Sequence, residues 1–256
     1  MTRQLQVIGV QVRASLALAM QYRANFLIQG AVALLWVVGS LIPLWVLFGQ
    51  RDEVAGWSFE GALVVMGWFT LLRGVLEGAI NPSLIDVVDR IRTGSFDYML
   101  LKPVDAQLLV STARFEPWKI IDVFTGLALM IYAFAKLGRV PGPGDLAMAG
   151  VLLVAAVVVL YSLWIVIVSA SFWVVRIDNL TYLFSAIFDA GRWPIQVFRG
   201  FWRVLFTFII PLAVMTTYPA MALLGTLAPS VALAAVAGAS ATAIAARTLW
   251  LVSIRF

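Results

Sequence analysis

Long uncharged stretches divided by short charged ones organise this chain. Between Arg23 and Arg51 no charge occurs over 27 residues, more than the roughly 20 that an α-helix needs to cross a hydrocarbon core. Pro43 lies near the far end of this first span and predicts a kink or a stop there. A short loop at residues 50–58 leads to a second apolar segment, residues 59–80. It carries Arg73 and Glu77 at i, i+4, a spacing at which the two charges neutralise each other. Asn81-Pro82 then predicts a bend or break, and a hydrophilic stretch continues to Lys119. A third span covers about residues 118–135, with Asp122 near its start. The turn-rich segment 136–145 contains Pro-Gly-Pro-Gly at 141–144, and 30 uncharged residues between Asp145 and Arg176 make a fourth span.

The last third admits two solutions. Arg203 and Arg247 enclose 43 uncharged residues interrupted by Pro211, Pro219 and Pro229. A final span fits about residues 231–250. Hydropathy alone prefers residues 204–224 as the fifth span and leaves 178–203 as an amphipathic surface segment. In the other solution residues 180–198 cross, with Asp189 and Arg192 paired inside, and the proline-broken stretch dips into the bilayer and returns. Both solutions make six crossings and keep the C-terminus on one side.

Residues 1–22 alternate differently. Arg3, Gln4, Gln6, Gln11, Arg13, Ser15 and Gln21 are interleaved with Leu5, Ile8, Val12, Leu16, Ala19 and Met20 at helical spacing. That pattern predicts an amphipathic helix lying on the membrane surface.

The loop between the second and third spans is the most distinctive segment. Residues 89–104 hold Asp89, Arg90, Arg92, Asp97 and Lys102, charges that must lie in water. The Leu and Phe residues among them then have no membrane to enter, which predicts a docking surface for another protein. Gly94 can re-aim the backbone, and Ser95 is placed to cap a short helix. Phe96, Met99 and Leu100 form an i, i+3, i+4 stripe suited to a partner's groove or, equally on the residues alone, to packing on this protein's own membrane ends, and Pro103 ends the element.

Composition sharpens these expectations. At 62% hydrophobic and 12% charged, with mean hydropathy +0.98, the chain is polytopic with little mass outside the bilayer. The net charge of +5 does not indicate nucleic acid, because the basic residues are scattered at span ends and form no run with interleaved aromatics. Cys and His are absent, which excludes disulfides, Cys or His metal ligands and Ser–His chemistry. No Gly-rich run precedes Lys102, Lys119 or Lys136, so the chain has no P-loop of its own. No uninterrupted apolar core of a cleavable signal peptide is visible in the first 22 residues. Lys and Arg number three in the N-terminal arm, five in 81–119, one at Arg176 and two at the C-terminus, against three in both opposite loops together. That bias predicts cytoplasmic N- and C-termini and a cytoplasmic long loop.

The run Arg92-Thr-Gly-Ser-Phe-Asp-Tyr-Met-Leu-Leu-Lys-Pro-Val104 resembles the signature of ABC-2 type transporter permeases. Arg114-Phe-Glu-Pro-Trp118, Asp122-x-x-x-Gly126, Trp193-Pro-Ile195, Ile210-Pro-Leu-Ala213 and Tyr218-Pro-Ala220 follow in the order of the branch of about 260 residues. The resemblance covers essentially the whole chain. It implies an all-α integral membrane fold with six transmembrane helices, an N-terminal interfacial helix at 1–22 and a cytoplasmic coupling loop at 81–117. It also implies a re-entrant hairpin, the outer gate, at 199–229, which favours residues 180–198 as span five.

It further implies an exporter subunit of the inner (plasma) membrane, driven by two cytoplasmic ABC ATP-binding subunits. Those subunits would bind ATP and Mg, leaving this chain without a cofactor or metal. A second permease, identical or homologous, and membrane lipids complete the expected partners, and the substrate is hydrophobic or amphipathic. Coupling falls to Asp89, Arg90, Arg92, Gly94, Ser95, Phe96, Asp97, Met99, Leu100, Lys102 and Pro103, with residues 95–101 as the coupling helix. The substrate path and gate fall to Trp36, Trp68, Arg73, Glu77, Asp189, Arg192, Pro211, Tyr218 and Pro219.

Two other classes were weighed. Asp86-Val-Val-Asp89-Arg-Ile-Arg-Thr-Gly94 superficially resembles the carboxylate cluster of CDP-alcohol phosphotransferases, but no second Asp-x-x-x-Asp half follows to hold metals. A stand-alone secondary transporter or channel would want an ion-coupling site and often an internal repeat, and neither is evident.

Overall fold

A computed structural model describes the backbone of residues 2–21, 23–173 and 178–255 and the side chains of 9–18, 27–173 and 182–255. Arg176, counted above in the charge bias, lies outside the described residues, as do the side chains of Leu5, Ile8, Ala19 and Met20. The described chain is helical, apart from a single bridge between Val54 and Trp57. Five helices are long and apolar enough to cross a membrane, and a bent pair can supply a sixth segment.

Helix α1 (Thr2–Gln21) precedes α2 (Arg23–Phe48), which continues through Pro43 to Phe48. The expected stop at Pro43 is therefore absent. A proline one turn from a helix end removes one hydrogen bond without ending the segment when apolar neighbours favour helix on both sides.

The second span also runs on past its predicted limit. Helix α3 (Phe59–Val75) opens on Ser58, whose Oγ accepts from the Gly61 amide at 3.2 Å. It passes through a π-helical turn (Leu76–Ile80) into α4 (Asn81–Arg92), giving 34 continuous residues. Asn81-Pro82 does not break the chain. Proline is tolerated in a first helical turn, and the π turn absorbs the change in register. Most of the expected loop 81–117 is accordingly helical: α4, then α5 (Asp97–Leu100), then α6 (Ala106–Ser111).

Helix α7 (Ile120–Leu137) follows a short 3-10 turn (Pro117–Lys119) and packs antiparallel on α3. The two backbones touch where glycines face each other. A Cβ at Gly126 would stand 2.5 Å from the Gly67 carbonyl oxygen and 2.7 Å from the Leu71 amide nitrogen. Small residues permit this approach, and van der Waals contact holds such helices together in lipid. The turn after α7 is shorter than expected, because Pro143 begins α8 (Pro143–Ala170). Helix α12 (Pro229–Ser253) packs along α8.

Residues 178–197 run along the bundle toward the Trp57 loop. Helix α9 (Asp178–Asp189) has 12 residues, about 18 Å at 1.5 Å per residue. It is extended by 3-10 turns at Ala190–Arg192 and Ile195–Val197. Phe184 stacks edge-on against Trp164, Phe188 lies 5.1 Å from Phe69, and Trp57 Nε1 donates to Gln196 Oε1 at 3.1 Å. These contacts climb the bundle toward the Trp57 loop.

A bent pair of helices follows. Residues 201–209, comprising α10 (Phe201–Val204) and a π turn, meet residues 213–223, which end in α11 (Tyr218–Leu223), at 70°. Its far limit is held by Arg139 Nη1, which donates to the Leu224 carbonyl at 2.7 Å. That limit thus sits at the end carrying the 49–58 and 138–142 turns, and the bend makes the pair a broken span or a re-entrant loop.

We call that end distal. At the opposite, proximal end, α1 docks on the segment before α7: the Phe115 amide donates to Ser15 Oγ at 3.2 Å and Thr112 Oγ1 to Gln11 Oε1 at 2.7 Å. Val10, Leu16 and Leu18 on α1 are exposed, so this helix turns polar atoms to the protein and apolar ones outward, as a lipid-facing helix should.

Candidate functional site

Two constellations stand out, one on the proximal surface and one inside the bundle. At the surface, α4 ends in a turn for which Gly94 adopts φ +71°, a backbone angle that strains a side-chain-bearing residue. The Phe96 amide reaches back to the Arg90 carbonyl at 3.1 Å, which fixes the direction of α5. Arg90 pairs with Asp86 at 2.6 Å, and Arg92 lies 3.9 Å from Asp89.

The expected partner-facing stripe is corrected here. Phe96 and Met99 are buried, at 3% and 7% exposure, because a short helix on a membrane protein's end must cover its own core first. Leu100 alone of the three faces out, joined by Asp97, Tyr98, Leu101, Lys102 and Pro103. Ser95 does not cap the helix. Its hydroxyl lies 2.9 Å from that of Thr93, and the residue before α5, Phe96, has helical angles.

Phe96 is gripped by the ends of two long helices. Its ring stands edge-on to Phe172 at 5.5 Å and to Trp250 at 6.0 Å, and those two rings lie 6.1 Å apart. A polar link runs parallel. Arg247 of α12 donates Nη2 to Asp105 Oδ2 at 2.6 Å and Nη1 to Oδ1 at 3.3 Å, and also reaches Gln107 Oε1. Gln107 Nε2 donates to Tyr161 Oη of α8 at 2.9 Å, and Ser111 Oγ lies 2.7 Å from the same oxygen. Those hydrogen bonds from Arg247 hold the Asp105 carboxyl below the usual carboxylate range, against the opposing effect of desolvation. None of Asp105, Gln107, Tyr161 or Arg247 was singled out from sequence. The available signal was Arg247 itself, a charge inside an apolar span that needs an anion.

Within the bundle, Arg73 Nε donates to Glu77 Oε1 at 2.9 Å, as the spacing predicted. The structure adds two residues. Lys119 Nζ bonds the other oxygen, Glu77 Oε2, lies 3.7 Å from Asp122 Oδ2, and sits 4.1 Å from the centroid of the Trp118 ring. Asp122 and Lys119 are both buried. Two cations and two anions therefore neutralise each other across α3, α7 and the turn before it, which is how buried charge is tolerated. A cavity of about 160 Å³ opens beside them, lined by Gln29, Trp36 and Ser40 of α2 and by Thr70, Arg73 and Asp122.

Asp189 and Arg192 pair at 3.3 Å beside this cavity, with the guanidinium 5.7 Å from the ring of Phe69, itself a lining residue, and the Asp189 carboxylate within electrostatic reach of Arg73. The remaining expected path residues lie elsewhere. Pro211 and Tyr218 line a separate 330 Å³ cleft of the bent pair against α8 and α12, and Pro219 is buried in α11. Trp68 is buried on the opposite face of α3. Helical periodicity explains the divergence: Trp68 and Arg73 are five residues apart, about 140° round the helix at 3.6 residues per turn.

A family model described as ABC-2 family transporter protein matches residues 34–256. No curated protein and no solved structure matches the chain.

Proposed function

The chain belongs to the ABC-2 transporter family, and on that premise we propose that it is the permease subunit of an ATP-driven exporter whose α4–α6 segment is the coupling element. Family membership implies association with ABC ATPase subunits. Two of these engage the proximal surface, in the cytoplasm, and a second permease completes the transporter. Hydrolysis moves α5, and the movement reaches the helices that line the substrate path.

The observation that carries this reading is the double attachment of the surface segment. Phe96 binds it to the ends of α8 and α12, and the Asp105–Arg247–Gln107–Tyr161 chain binds it again to the same two helices. A push on exposed Tyr98 or Leu101 is transmitted to both helices because packed aromatic rings do not deform continuously. The sparsely covered outer face of α2, with Leu35 and Trp45 exposed, supports a second permease at that side. The charge cluster and its small cavity between α2, α3 and α7 support a polar station on the path of an amphipathic substrate.

Purification of the native complex from the plasma membrane tests the reading. Co-isolation of a P-loop ATPase whose hydrolysis responds to this chain is expected, and Leu101→Asp should release it. A transport-competent particle without a nucleotidase would instead establish a stand-alone transporter or channel.

A further inference from the structure

Consecutive helices α7 and α8 separate after the turn that joins them, because α7 packs on α3 while α8 packs on α12. The space left between them is an open groove of about 680 Å³ at the distal end. Trp68 and Leu71 of α3 form its floor, Ile131 and Phe134 one wall, and Leu146 and Leu153 the other. Its volume falls within the range of small-molecule sites, roughly 300–1,000 Å³. Ile131 and Leu146 are exposed on the outer face, so the groove opens sideways, where a membrane-spanning bundle meets lipid.

Arg139 is the single charged residue lining this groove. It lies just past the end of α7, at the level where hydrocarbon gives way to headgroups, and its side chain is 50% exposed. Nη1 is taken by the Leu224 carbonyl, and Nη2 faces Asp145 Oδ2 at 3.4 Å. That carboxylate is itself engaged by the Gly142 amide at 3.0 Å and by the N-terminus of α8, which favours negative charge. Arg139 therefore keeps attraction for a second anion.

We propose that this groove holds one acyl chain of a phospholipid from the distal leaflet, with the lipid phosphate at Arg139. Apart from Arg139 and the unpartnered Trp68 indole N–H the lining side chains are hydrocarbon, so the body of a polar ligand would lose most of its hydrogen bonds to water without replacement. A hydrocarbon chain loses none. The Arg139 guanidinium, paired with Asp145 yet half exposed at the groove's mouth, is the cation that suits a lipid phosphate. The bound lipid would also brace the exit of the bent pair, since Arg139 already ties that segment through Leu224.

The test uses the full-length protein reconstituted with phosphatidylglycerol bearing a photoreactive diazirine on one acyl chain, with adducts mapped by peptide mass spectrometry. Adducts on Ile131, Leu146 and Leu153 should exceed those on exposed Leu233 and Ile244 of α12. Gly150→Phe places a ring in the groove from a position where a Cβ meets nothing within 4 Å. It should abolish the groove adducts and spare those on α12, and Leu146→Trp, at an exposed position, provides a second blocking variant. Arg139→Gln should lower groove labelling about fivefold, the effect of one basic residue near an anionic headgroup. Even labelling over all outer faces, or groove adducts that survive both blocking variants, would overturn the proposal. So would a photoreactive alkane that lacks phosphate, labels the groove as strongly as the lipid and ignores Arg139→Gln.

Discussion

Arg247 grips Asp105 with both terminal guanidinium nitrogens, at 2.6 and 3.3 Å, and so joins the last span to the surface segment 142 residues earlier in the chain. The pair is partly exposed, and its contribution to folding is at most about 1 kcal/mol. Its expected effect is on transmission. Arg247→Lys, which cannot reproduce the forked contact, and Asp105→Asn should lower transport per ATP hydrolysed while leaving assembly and thermal stability near wild type. Simultaneous assays of hydrolysis and transport in proteoliposomes check this.

The same pair has a defined pH response. The folded-state pKa of Asp105 is depressed, so its stabilisation is present above the unfolded value of about 3.9 and lost as pH falls through the lower folded value. Wild-type coupling should therefore show no Asp105-dependent change between about pH 5 and 8. A difference between wild type and Asp105→Asn that titrated within that window would contradict the arrangement.

Phe96 and Tyr98 are two residues apart and should behave oppositely. Truncating the buried Phe96 ring to Ala is expected to cost about 3–5 kcal/mol, lowering the unfolding temperature in detergent. Tyr98→Ala and Leu101→Ala, at exposed positions, should change stability by no more than about 0.5 kcal/mol and yet weaken retention of the ATPase subunit in a pull-down.

Lys119 compensates Glu77 and Asp122 together. Lys119→Met should destabilise by about 3–5 kcal/mol, because it strands buried carboxylate charge. Adding Asp122→Asn should restore part of that loss, with a coupling of about 0.5–3 kcal/mol in a double-mutant cycle. Additive effects would show that the two side chains do not interact.

Gly126 meets Gly67 backbone to backbone. Gly126→Leu has no room for even its Cβ and should prevent α3 and α7 from closing. Gly150→Leu, in open space on α8, should be tolerated. Expression level and monodispersity of the two variants distinguish the sites.

Much of this architecture is legible in the chain itself. Uncharged runs such as 24–50 and 146–175 announce spans, because the transfer of each residue into hydrocarbon depends on its own chemistry and is summed locally. The clustering of charge at 86–105 likewise marks a segment that must stand in water. Arg73 and Glu77 were readable as a pair because one helical turn brings them together.

Tertiary structure alone decided which faces those elements present. Phe96 reads as a partner-facing residue in a charged loop, yet Phe172 and Trp250, 76 and 154 positions later, enclose it. Lys119 and Asp122 read as the edge of a span until α3 brings Glu77 between them and Arg73. Hydropathy likewise preferred residues 204–224 as one crossing, whereas the folded chain bends by 70° within that stretch. The physical reason is common to all three. Solvation is a property of single residues, but burial and charge compensation depend on neighbours that only folding supplies.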